Sequence, residues 1–434
     1  ENMSLIKYTA IAALILFGLI LALIGILSVT HAPPVKSVIA EGDKDGPPSV
    51  EDPLFARSIE LFTGTHIDPG NNIQILLNGD GTYPQLWKDL ASAQQTITVQ
   101  MYYSQPGAVA DTMAKYLIDR AQHKVRVLLL LDAFGSQPLK KEWMQNLRRA
   151  GVEVVWLRPL RWYTLQKAAQ RSHVRVVVID GKIGYTGGFG LADYWLGDGH
   201  HEDQWRETNV RFEGMTVGSL QAAFAAAWAE ATGELLTGDM FFPKSAFADL
   251  GDVQAGLMYS IPTIGSTPAE RFLALSIAGA QKTLYITNSY FVPGENFLQL
   301  LLAAAHRGVD VRVITVSGKT DVKTTWYAGR TYYEKLLEGG VKVYEYEPTM
   351  MHAKTMVVDG MWSYVGSMNF DNRSLSFNNE SLLVSLDRRI GAQMDSIFMD
   401  DIKSSKEMKL DEFRKRPLSG KILEWGAQKL RRVL

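Results

Sequence analysis

The sequence predicts an α/β protein: a duplicated α-β-α sandwich, two pseudo-symmetric halves with the active site between them. Short β-branched runs alternate with helical stretches, the order of these elements occurs twice, and one ten-residue phrase recurs in the same frame. In the first half, residues 73–77, 96–103, 125–132 and 152–157 read as strands, while 83–94, 108–122 and 139–150 carry helical periodicity. The second half repeats the order, with strands at 284–289, 309–316 and 341–345 and helices near 268–281, 295–307 and 325–338. Arg149-Ala150-Gly151-Val152 mirrors Glu338-Gly339-Gly340-Val341, each with a glycine ending a helix and a valine opening a strand.

A chain of 434 residues is long enough for two ordinary cores. Its 45 basic and 46 acidic residues cancel, which weighs against a sequence-independent grip on DNA or RNA. The absence of cysteine excludes disulfides, thiolate nucleophiles and cysteine metal sites. Within residues 1–30, the run 8–29 is uncharged and rich in Leu, Ile and Ala, as one transmembrane helix requires. The competing reading is a cleaved signal peptide, with Lys7 as its positive region and Thr30-His31-Ala32 as its cleavage site. Lys7 stands on one side and Lys36 and Lys44 on the other, so the charges leave orientation open. Residues 31–55, with Pro33, Pro34, Pro47 and Pro48, read as a linker. The halves are expected at 56–250 and 251–403. The tail 404–434 mixes lysine and arginine with Ile422, Leu423, Trp425 and Leu430, which suits a basic amphipathic helix on an anionic membrane or a helix packed on the body.

The recurring phrase carries the chemistry. Ser172-His173-Val174-Arg175 leads to Asp180-Gly181, and Met351-His352-Ala353-Lys354 leads to Asp359-Gly360. On an extended strand, residues two apart share a face, so each histidine and its basic neighbour can address one phosphate. Asp-Gly then closes a hairpin. Fourteen residues after each histidine stand Gly187-Gly188 and Gly366-Ser367.

This pattern resembles the phospholipase D superfamily, whose HxKxxxxD motif occurs twice, each followed by a GGxN or GSxN segment. The second copy matches through Gly366-Ser367-Met368-Asn369, and Tyr290-Phe291-Val292-Pro293 and Asn378-Asn379-Glu380 are similar to the cardiolipin synthase branch. The first copy departs twice, with Arg175 at the usual lysine and Gly190 at the usual asparagine. Arginine keeps the charge and forks onto two oxygens, while the lost amide removes a donor and opens space for a larger headgroup or a water if Gly190 lines the pocket.

The resemblance implies a phosphohistidine mechanism needing neither cofactor nor metal, with His173, His352, Arg175, Lys354, Asp180 and Asp359 as the catalytic set. It makes His173 the nucleophile and His352 the acid and base, with Gly188, Ser367 and Asn369 lining the substrate site. Glu207 and Glu380 resemble the acids that fix the ring tautomers, and the motif aspartates suit the hairpin. The implied reaction joins two phosphatidylglycerols into cardiolipin and glycerol at a bacterial inner membrane, the anionic lipid being the partner. A hydrolytic phospholipase D would use the same residues, and a membrane-tethered nuclease is disfavoured by the balanced charge. His200-His201-Glu202-Asp203 is the local group open to a metal reading, but adjacent strand residues face opposite ways and a solvated loop fits it better. Ten extra residues before the first motif, including Trp162 and Tyr163, suit a lip over acyl chains or packing on the body.

Overall fold

The computed structural model describes residues 34–39, 48–159, 170–247, 250–263 and 265–429, with five isolated positions nearer the N-terminus. The first half carries β1 (Asp68–Leu77), β2 (Thr96–Met101), β3 (Arg126–Asp132), β4 (Glu153–Leu157), β5 (Val176–Ile179), β6 (Ile183–Gly187), β7 (Trp205–Arg206) and β8 (Thr208–Glu213). The second carries β9 (Val253–Ser260), β10 (Thr283–Asn288), β11 (Asp310–Val316), β12 (Lys342–Tyr346), β13 (Met350–Met351), β14 (Lys354–Val358), β15 (Trp362–Gly366) and β16 (Glu380–Leu386), and β17 (Ser405–Glu407) closes the far edge.

Outward from the β1–β9 junction the order is β1-β8-β6-β5-β2-β3-β4 on one side and β9-β16-β15-β14-β10-β11-β12 on the other. Each strand in these two series thus has a counterpart, β17 being the one addition, and the register repeats too: Ile97 faces Ile179 as Leu284 faces Val358. Helices such as Ala108–Gln122 and Gly294–His306 return the chain between parallel strands. Met113, Leu117 and Leu129 form the outer core of the first half, and Phe272, Leu301 and Val313 that of the second. Between the halves, Val176 and Val178 share a third core with Val357, Val365 and the helices Thr216–Thr232 and Arg388–Lys403. Each fully buried side chain there contributes about 1.5–3 kcal/mol, which ties the halves together.

Three expectations change. The first half does not begin at 56: the helix Pro53–Thr63, capped by Asp52 with proline at its first turn, buries Phe55 and Ile59 in the second half's core. Phe55 meets Trp362 edge-on at 5.1 Å, so the chain enters through the half it later completes. The helix expected at 325–338 is two, Lys323–Arg330 and Tyr333–Glu338. The tail expected to start at 404 first adds β17 to β12 and then packs Phe413 and Ala427 into the same core. The run 8–29 lies, apart from those five positions, outside the described residues, as do Trp162 and Tyr163; among the described residues no helix is long and apolar enough to cross a membrane.

The motif aspartates sit in the hairpin turns. Asp180 and Asp359 both have φ of 52°, followed by Gly181 at 63° and Gly360 at 60°, the left-handed pair a tight hairpin needs. Asp180 accepts backbone N–H groups of Gln94, Gln95 and Thr96 at 2.7–2.9 Å, and Asp359 those of Gln281, Lys282 and Thr283 at 2.7–2.9 Å. Each fixes the start of the neighbouring strand, at the end of the hairpin away from its histidine. Charge-assisted bonds of this kind are worth about 1.5–3 kcal/mol each in isolation and share one carboxylate here, so Asp359→Ala should cost roughly 2–4 kcal/mol. A denaturant melt would read that loss, with turnover per folded molecule unchanged.

Candidate active site

Crossed pairing builds the site. His173 Nδ1–H donates to both carboxylate oxygens of Glu380 at 3.1 Å, and His352 Nδ1–H donates to Glu207 at 2.5 Å. Each half therefore supplies the histidine that the other half's glutamate orients. Backbone bonds cross in the same way: His173 N donates to Asn379 O at 2.9 Å, and His352 N to Arg206 O at 2.7 Å. Fixing Nδ1 as donor leaves Nε2 of each ring with its lone pair.

Each histidine stands just ahead of a hairpin strand, His173 and Arg175 before β5 and His352 before Lys354 at the start of β14. Arg175 donates to the carbonyls of His173 and Phe189, and Lys354 to the carbonyl of His352 and, at 2.8 Å, to Ser289 Oγ. All four motif side chains are buried, as are both glutamates. Burial, with Arg175 nearby, pushes the His173 imidazolium down to about 4, and burial with Lys354, Arg175 and His173 holds His352 well below its usual range. Burial likewise pushes Lys354 down to about 7 and raises the Glu207 carboxyl. Two neutral imidazoles with Arg175 and Lys354 beside them offer donors and positive charge to the oxygens of an anion, with the two glutamates set behind the rings.

This depression has a readable sign. The folded state holds His173 below its unfolded value of about 6.5, so its contribution to stability is present in full above pH 6.5 and is lost as pH falls toward 4. Melting temperatures of the parent should therefore fall relative to those of His173→Asn across that window. A constant difference between the two would contradict the neutral histidine.

The two half-sites differ in how they hold their glutamates. Ser367 Oγ donates to Glu380 at 2.5 Å. Gly188 occupies the matching position, and a Cβ there would stand 2.3 Å from Glu207 Oε2. The missing hydroxyl is replaced by Trp195, whose indole N–H donates to Glu207 at 3.2 Å and whose ring meets His352 edge-on at 5.4 Å. The same indole settles Gly190, where a Cβ would lie 2.8 Å from the Trp195 ring. The space expected there is already filled. Asn369, its counterpart, is buried with Oδ1 unpartnered beside the second half-site.

Besides Trp195, four residues carry the site without having been legible beforehand. Asn78 clamps Glu207, donating its N–H to the Glu207 carbonyl at 3.0 Å and accepting the Glu207 N–H on Oδ1 at 2.9 Å. Asn209 Oδ1 accepts the amides of Gly188 and Phe189 at 3.1 and 3.2 Å. Arg206 forks onto Asp401 at 2.8 and 2.9 Å, joining the halves behind the slot. Trp205 lies 4.8 Å from the His352 ring. A repeated tryptophan or an Asn-Gly pair was the sequence signal, and neither reveals its partner. Glu202, from the group open to a metal reading, pairs with Lys319 at 2.7 Å, and among the described residues no three His, Asp or Glu side chains converge as ligands.

Two histidines crossed with two glutamates, set between duplicated halves over buried cations, define an apparatus for phosphodiester exchange. A family described as "Cardiolipin synthase, PLD-like domain" matches residues 86–228 and 273–402, one stretch in each half. Cardiolipin synthase of Geobacillus sp. (strain WCH70) is 34% identical over 81% of this chain and 70% of its own length. Cardiolipin synthase 2 of Bacillus anthracis is 33% identical over 86% of this chain and 72% of its own. The chain belongs to this cardiolipin synthase family of phospholipase D-like enzymes. Phosphatidylserine synthase of Haemophilus influenzae Rd KW20 shares the fold, with a TM-score of 0.65 at 14% identity over 88% of this chain and 100% of that one.

Proposed function

We propose that the chain is a phosphatidyltransferase that joins two phosphatidylglycerols into cardiolipin and releases glycerol. The observation that carries it is the pair of neutral imidazoles, each fixed at Nδ1 by the opposite half's glutamate, leaving both Nε2 atoms to work on one phosphorus. His173 Nε2 attacks phosphorus, forming a P–N bond as the P–O bond to glycerol breaks. The bound phosphodiester, itself an anion, favours a proton on His352 Nε2, which passes to the leaving alkoxide. His352 then takes the proton of the incoming lipid's hydroxyl, whose oxygen displaces His173 and restores it. Arg175 and Lys354 hold the non-bridging oxygens through both steps, and Asn369 donates its amide from one side.

The order of roles is supported by surroundings: His173 shares its half-site with Arg175, a fixed fork for phosphate, and His352 sits between Trp195 and Trp205, where proton transfer is shielded from water. The names of the curated relatives support the substrate. A bacterial, membrane-associated protein fits them, and the single-pass anchor at 8–29 belongs to the same proposal. Detergent-solubilised protein given phosphatidylglycerol should yield cardiolipin and glycerol by mass spectrometry. Phosphatidic acid alone would make water the acceptor, and no turnover would point to a different lipid pair.

A further inference from the structure

The C-terminal helix Leu418–Lys429 is docked in an unusual sense. Its inward face holds Glu424 and Ala427, both buried, and Glu424 accepts from Arg330 at 3.2 Å and from Arg416 at 2.8 Å. At 100° per residue the opposite stripe is Leu418, Ile422, Trp425 and Lys429, and the three apolar members are 73%, 60% and 63% exposed. The helix thus hides its acid inside and turns leucine, isoleucine and tryptophan outward, the reverse of a helix that packs for stability alone.

Charge and position select what covers that stripe. From Lys415 to the last residue the sequence contains six basic residues and one acid, the buried and paired Glu424, so the tail itself offers the stripe basic companions and no exposed acid. Lys429 lies over the Trp425 ring at 5.2 Å, keeping a cation beside the apolar face, and Lys421 flanks it. The partner Arg330 also reaches Glu345 at 2.7 Å, near the C-terminal end of β12. That end of the sheet is the one that holds the site: β10, β11 and β12 run parallel, and Asn288 at the end of β10 faces Lys354.

We propose that this stripe seats on an anionic phospholipid surface, with Leu418, Ile422 and Trp425 entering the interface and Lys421 and Lys429 meeting headgroups, so that the catalytic slot faces the bilayer. The contact depends on no step of the chemistry, and turnover is not its readout. A tethered partner such as an N-terminal span would hold the chain near lipid, and the stripe would set its orientation.

The natural absence of cysteine makes the test direct. Full-length Ile422→Cys, labelled with an environment-sensitive fluorophore, is reconstituted into vesicles of phosphatidylcholine alone or with one third phosphatidylglycerol. The expected result is a blue shift and protection from aqueous iodide in the anionic vesicles. Two surface lysines favour the docked state about 30-fold, so Lys421→Gln with Lys429→Gln should return most of the label to water. A label quenched equally in both compositions overturns the proposal. Equal protection in both, insensitive to the lysines, assigns the stripe to another segment or a second copy and overturns it as well.

Discussion

His352→Ala should lose transfer from phosphatidylglycerol by about 10²–10⁴-fold, the worth of a positioned general acid, yet keep the first-turnover burst from a phosphodiester that expels p-nitrophenolate. That leaving group needs no proton, so formation of the P–N bond proceeds without the acid. His173→Ala should lose both reactions, because no nucleophile remains. In the His352 variant the second step lacks its base, and the substrate's phosphoryl group, still carrying its remaining ester, should accumulate on the peptide containing His173, visible by mass spectrometry under conditions that preserve phosphoramidates. Retention of nitrophenolate release by His173→Ala and its loss in His352→Ala would exchange the two roles. His352→Ala leaves Glu207 buried without its ring partner, a cost that could unfold the site. His352→Gln, which keeps a donor near Glu207, separates the chemistry from that cost.

The sequence was informative where the physics is local. The Asp-Gly pairs announced hairpins whose φ values now coincide, although His173, Arg175 and His352 stand just ahead of the hairpin strands, where the expected strand alternation does not reach. Equal spacing in the two copies foretold strands with the same register on either side of the β1–β9 junction. What stayed hidden is what the chain builds between its halves. Nothing local says that Glu380 serves His173 while Glu207 serves His352, because that crossing arises only when the two halves come together. Phe55 was invisible as a second-half residue for the same reason: an amphipathic helix records that it has an apolar face, never which core receives it. The altered Gly190 looked like a lost donor and a vacancy, since one line of sequence cannot show an indole from five residues further along occupying the place.

That replacement makes the halves chemically unequal despite their shared ancestry of pattern, and the inequality has a sharp consequence. Gly188→Ser would give the first half the residue its counterpart already carries at Ser367, where the hydroxyl supports Glu380. In the first half the same change should be harmful, because the new Cβ meets Glu207 Oε2 at 2.3 Å, inside any tolerable contact. Glu207 is held along its backbone by Asn78 and at its carboxylate by Trp195, Thr208 and His352, so it yields by tilting the carboxylate away from Nδ1. A displacement near 1 Å in an oriented catalytic group costs about 10²-fold in rate. Turnover of phosphatidylglycerol should therefore drop about 100-fold in kcat with KM little changed, while the first-turnover burst of nitrophenolate, which needs no proton from His352, should hold. Gly188→Ala should behave alike, since the clash belongs to Cβ and the hydroxyl is incidental. If Gly188→Ser were instead active and Trp195→Phe silent, the indole would be packing and no more, and the first half would be as tolerant of serine as the second.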